Sequence, residues 1–168
     1  MVENEPVSHD SLTPELWPLL QLWRGKNLML GRLPCPDDIV PTNTRWLRHV
    51  ARIVPGKHAD FMIQTFGFDL IRRFGRFAGG DRVSSLAPGI RQGLGRMLLL
   101  AMRKREPVVW RPAVLLGRDA IHFSELILPL SEDRQGVALL LLAAMEEPRP
   151  RPKPPSEPEF YVPDWERD

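Results

Sequence analysis

Cysteine is almost missing from this 168-residue chain. Cys35 stands alone, so no internal disulfide can form, and a reducing, cytoplasmic setting is the simple expectation. Long apolar runs are missing as well. The longest, Val137 to Met145, is far short of the ~20 residues that cross a bilayer, so no membrane partner is expected. The first ten residues carry Glu3, Glu5 and Asp10 where a secretory leader would be basic and then apolar. Histidine is sparse. His9, His49, His58 and His122 are scattered, no two have helical i, i+4 ligand spacing, and no CxxC accompanies them. That pattern gives no expectation of a metal or haem site, and no cofactor is named by the sequence.

What is present is a globular composition, 43% hydrophobic and 26% charged, in a length that suits one domain with tails. The net charge of +2 hides an asymmetry: residues 13–145 hold 19 bases against 11 acids, while both ends are acidic. A basic body could attract nucleic acid, and Arg103-Lys104-Arg105 is its densest cluster. That cluster also closes a helix, where the dipole favours cations, and no nucleic-acid motif accompanies it, so a nucleic-acid partner is not the leading expectation. Seven of the 18 prolines fall between Pro148 and Pro163. Residues 147–168 therefore read as a flexible, polyproline-like tail with PxxP spacing at Pro152, Pro155 and Pro158, and with Phe160, Tyr161 and Trp165 available to dock. Residues 1–12 read as a second loose end.

Between these ends the chain is patterned. Thr13-Pro14-Glu15 starts a helix, and Leu16, Leu19, Leu20 and Trp23 form its apolar stripe. Pro18 conflicts with an α-helix beginning at Pro14, so the first turn must be kinked or not α-helical. Pro34-Cys35-Pro36-Asp37-Asp38 is a rigid connector in which Asp37 or Asp38 can cap a short turn. Residues 49–54 and 60–66 read as strands joined by the turn Pro55 to His58, with Phe61, Ile63 and Thr65 on one face. Leu70, Ile71 and Phe74 have helical spacing. The clearest pattern is Ile90, Leu94, Met97, Leu98, Ala101 and Met102, one wide helical stripe that Pro107 ends. Strand candidates follow at 108–116, 122–130 and 137–145. The predicted fold class is α+β: a five-stranded antiparallel sheet with helices on one face, preceded by an N-terminal helix, the domain spanning 13–146.

Several segments resemble a known family. Leu16 to Trp23 is similar to its amino-terminal helix. Leu33-Pro34 with Asp37-Asp38-Ile39 and Pro41 is similar to its LP…D-I-x-P segment. Phe74-Gly75-Arg76 with Gly80 is similar to its FGR-D-L-T-G turn, and Leu126 to Ser131 with Asp133 and Gly136-Val137 is similar to its LLLPLS…DG…V hairpin. In order and spacing these resemble the single-domain PAS-like family widespread in alphaproteobacteria. Phe77 stands where that family usually has Asp, and Ala78-Gly79 replaces Leu-Thr, so a role resting on that acid does not carry over. The resemblance implies a PAS-type signalling module, with a small-molecule pocket between helices and sheet and pairing through the amino-terminal helix.

Catalytic chemistry finds no frame. Ser84-Ser85, Ser124 and Ser131 lack a nucleophile elbow, and Gly89, Gly93 and Gly95 lie inside a helical stripe with no Lys-Ser/Thr after them. A non-catalytic protein is expected. The sharper expectation is ligand binding by Phe66, Ile71, Phe74, Leu94, Met97, Leu98, Trp110, His122 and Ile127, with Leu70, Ala101 and Phe123 beside them. Trp110 and His122 would be its polar handles. A filled core is the competing reading of the same stripe. Leu16, Leu20 and Trp23 are the expected homodimer interface, since Trp17 and Trp23 would otherwise face water. A signalling-protein partner, or a purely structural interaction domain, stays open beside these.

Overall fold

Pro18 decides how the first helix begins. Pro14–Leu16 form a 3-10 turn, and helix α1 runs Trp17–Leu30 with Pro18 in its first turn, where its missing N–H costs no hydrogen bond. Gly31 ends α1 in the left-handed conformation (φ 63°) and donates its N–H to Asn27 O. The computed structural model, which describes residues 5–39, 44–75, 79–133 and 136–149, continues through a 3-10 turn at Pro36–Ile39 and the short helix α2 (Thr44–Leu47). Asp38 Oδ2 accepts the Cys35 N–H before that turn, the capping expected there. Pro41, Arg76, Phe77, Ala78, residues 1–4 and the tail from Pro150 onward lie outside the described residues.

Strands β1 (Val50–Pro55) and β2 (Phe61–Phe66) form the expected antiparallel hairpin. Helices α3 (Ile71–Phe74) and α4 (Pro88–Lys104) follow, then β3 (Val108–Trp110), β4 (Ala113–Leu116), β5 (Asp119–Leu130) and β6 (Leu139–Glu146). The sheet order is β2-β1-β6-β5-β3, with β4 also paired to β5, and every pairing is antiparallel. The architecture is α+β, but the sheet has six strands and not five. Trp110 pairs with Glu125 and Ala113 with His122, so the register is the same on both sides of the break. Pro112 has no N–H for the ladder, and it divides into two the segment read as one strand.

The helices also lie on both faces, not one. α4 covers the face bearing Ile53, Ile127, Leu140 and Leu142. α1 covers the opposite face, against Leu126, Leu128, Leu139 and Leu141. β6 is buried on both sides as a result, which explains its unbroken apolar run. In β2 the strand alternation fails at one point. Ile53 pairs with Ile63 but Arg52 with Thr65, a bulge that leaves Gln64 unpaired. Phe66 thereby joins Phe61 and Ile63 on the α4 face, and Thr65 moves to the other face.

Two further expectations are revised. Residues 5–12 are not a loose end: Val7 N–H donates to Val109 O at 2.8 Å, His9 Nε2 bonds Pro107 O at 3.0 Å, and Leu12 is buried. Leu16, Leu20 and Trp23 do not face a second copy. They are fully or almost fully buried against the sheet of their own chain, and the Trp23 indole donates to Pro129 O at 2.9 Å.

Candidate functional site: a buried arginine–glutamate pair framed by aromatic rings

The chain leaves β2 through Gly67, whose N–H donates to Val50 O. A Cβ there would sit 2.4 Å from Arg48 O, so only glycine permits this close crossing. The crossing sends Phe68–Leu70 and α3 over the α4 side of the sheet and places Arg73 beneath them, with a side-chain exposure of 3%. Opposite lies Glu125, in mid-β5 and fully buried. Trp110 and Ala144 flank it across the ladder, and the alanine leaves room beside the carboxylate.

Arg73 Nε donates to Glu125 Oε1 at 2.5 Å. The Arg73 guanidinium carbon lies 4.8 Å from the ring centre of Phe74, 5.6 Å from that of Trp110 and 5.9 Å from that of Phe123. Three ring faces around one cation partly replace the water it has lost. Burial pushes the Glu125 carboxyl above its ordinary value, and the Arg73 charge and hydrogen bond offset this only in part. The Trp110 indole also favours the carboxylate. Even so, Trp110 Nε1 and Glu125 Oε2 are both buried without a partner of hydrogen-bond geometry. Such orphaned atoms are rare in folded chains and mark a strained, hydrated or ligand-ready spot.

Two hollows lie near the pair. One, of about 400 Å³, is lined by Phe68, Ile71, Arg72, Phe123, Ala144 and Glu146 among others. The other, of about 200 Å³, meets Arg73 and Trp110 directly, with Ile90, Pro112 and Val114 around them. Among the described residues no cluster of three or more His, Cys, Asp or Glu could hold a metal ion.

Of the nine residues expected to line a pocket, seven belong to the hydrophobic cluster around this pair. Phe74, Leu94, Met97, Leu98, Trp110 and Ile127 are buried in it, and Phe66 packs on its rim with its ring 6.5 Å from that of Phe74. Two do not belong. Ile71 is 37% exposed at the lip of the larger hollow. His122 is exposed at the end of β5, its carbonyl accepting the Glu147 N–H, so it is no handle inside the cleft. The alternation of β5 puts even-numbered side chains on the α1 face and odd ones on the α4 face, so Glu125 takes the place meant for His122. Glu125 left a signal in the sequence: it is the one carboxylate within the apolar run Ile121 to Leu130. Arg73 left none, being the second of two adjacent arginines on a short helix.

Searches of protein-family models, of curated proteins and of solved structures find no match to this chain.

Proposed function

We propose that the chain is a non-catalytic, cytoplasmic PAS-type sensory or regulatory module that binds a small ligand, a protein partner or both. The order two strands, helical crossover and returning strands beside β1 supports the PAS likeness. No helix among the described residues is long and apolar enough to cross a membrane. The observation that carries the ligand reading is the buried Arg73–Glu125 pair with two unpartnered polar atoms, beside a hollow that Arg73 and Trp110 line. A mostly apolar cleft with a few convergent polar groups is the usual form of a small-molecule site. A partner surface is supported by Leu28 and Met29, exposed 86% and 70% on the outer side of α1, where a pairing through that helix would have to lie.

Native mass spectrometry of freshly purified protein tests the ligand reading. The expected result is an adduct that is lost on denaturation and reduced in Glu125→Gln and Trp110→Phe. A bare mass in the wild type, or an adduct equally retained by both variants, overturns it.

A further inference from the structure

The opposite face of the sheet carries a separate hollow. Helix α1 lies over the β5 side of that face, and the hollow lies on the β1–β2 side. There a cavity of about 390 Å³ is floored by Val50, Leu130, Leu139 and Leu141 and walled by Ile39 of the 3-10 turn. Its volume is within the range of about 300–1,000 Å³ usual for small-molecule clefts.

One cation enters this floor. Arg52 stands in mid-β1, between Thr65 on β2 and Leu141 on β6. It lines the cavity, and its Nε is buried with no hydrogen-bond partner. Among the described residues, Arg48, Arg72, Arg73 and Arg111 each pair with a carboxylate, whereas Arg52 pairs with none. Asp37 lines the same cavity and forms no ion pair with it. A partly buried guanidinium against aliphatic side chains offers donor geometry that matches a carboxylate and surroundings that match a hydrocarbon.

We propose that this cavity binds an amphipathic monocarboxylate, with its head on Arg52 and its apolar tail over Val50, Leu139 and Leu141. The site is on the face away from Arg73 and Glu125, so it stands or falls independently of the ligand reading above. Asp37 opposes the anion and keeps the binding weak.

Decanoate is the probe, with decanol as its uncharged counterpart, added to the full chain and followed by backbone amide shifts and calorimetry. Decanoate is expected to move the amides of Val50, Arg52, Leu139 and Leu141. Decanol is expected to bind about tenfold more weakly, the worth of one charge-assisted pair. Arg52→Gln, at a strand position whose side chain makes no hydrogen bond among the described residues, is expected to erase that difference while keeping the fold. Thr65→Trp fills the rim and is expected to block both ligands, and Asp37→Asn to tighten decanoate. The proposal is overturned by no binding, by equal binding of decanoate and decanol to the wild type, or by undiminished decanoate binding to Arg52→Gln.

Discussion

The two faces of one sheet solve burial in opposite ways. On the α1 face the core is Leu16, Leu19, Leu20 and Trp23 against Leu126, Leu128 and Leu141, and the polar atoms beneath the helix are matched, while Arg52 Nε, farther along that face on β1, is not. Trp23 reaches Pro129 O, and Ser124 Oγ accepts the Thr13 N–H at 3.0 Å. On the α4 face the same kind of apolar cluster encloses an ion pair and two unmatched atoms. An apolar face gains stability in proportion to the area removed from water. A buried ion pair gains little net, because desolvation of both ions cancels most of their attraction. Both faces bury an apolar cluster, and the α4 face keeps in addition a polar feature that stability alone does not require.

The contrast can be broken most sharply at Glu125. Glu125→Ala strands Arg73 as an uncompensated buried cation, and a loss of about 3–5 kcal/mol is expected in chemical denaturation. The double variant Arg73→Met/Glu125→Leu should recover most of it, because the face would then be built like its opposite. A double variant no more stable than the single one would show that the pair is needed for the fold itself.

Trp23→Ala is the matching test on the α1 face. It removes a buried ring and one hydrogen bond, with an expected loss of about 3–5 kcal/mol and no companion change able to restore it. The variant should lower the unfolding midpoint without dissociating any oligomer, since the side chain faces its own sheet. A change of oligomeric state at unchanged stability would return Trp23 to an intermolecular role.

The pH dependence sharpens the comparison further. Burial raises the Glu125 carboxyl above its unfolded-chain value, so its contribution to stability is complete below that value and is lost as pH rises through the folded-state one. Glu147 runs the other way. The Arg111 side-chain hydrogen bond holds it low, so its contribution is present above the unfolded-chain value and lost as pH falls through the folded-state one. Thermal melts of Glu125→Gln against wild type should therefore differ in shape on the side of rising pH. An unchanged profile would place the Glu125 carboxyl in its ordinary range.

The smallest effect is expected at the surface. Arg111 and Glu147 form a bidentate pair, but the Arg111 side chain is 47% exposed. Arg111→Ala should cost no more than about 1 kcal/mol, and only above the acid range. A loss as large as that of Glu125→Ala would remove the distinction between a solvated and a buried pair.

Much of this could be read along the chain. The Leu94–Met97–Leu98–Ala101 stripe, the hairpin 49–66 and the apolar run of β6 are local patterns, and each became the expected element. The cluster of Phe66, Phe74, Trp110 and Ile127 also followed, because strand and helix periodicity point those side chains to one side. Apart from the break that Pro112 makes between β3 and β4, reading failed where a contact between distant segments decided the outcome. His122 and Glu125 are three residues apart in one strand, and only the pairing of β5 with β3 and β6 tells which of them faces the cleft.

The sequence by itself determined the elements and their apolar faces, since periodicity, proline and glycine act within a few residues. Tertiary structure alone decided that α1 closes the back of the sheet and that Arg73 meets Glu125 across 52 positions. It also left Arg52 Nε without a hydrogen-bond partner among the described residues. Charges are matched or stranded by what the fold brings beside them, and no local pattern encodes that.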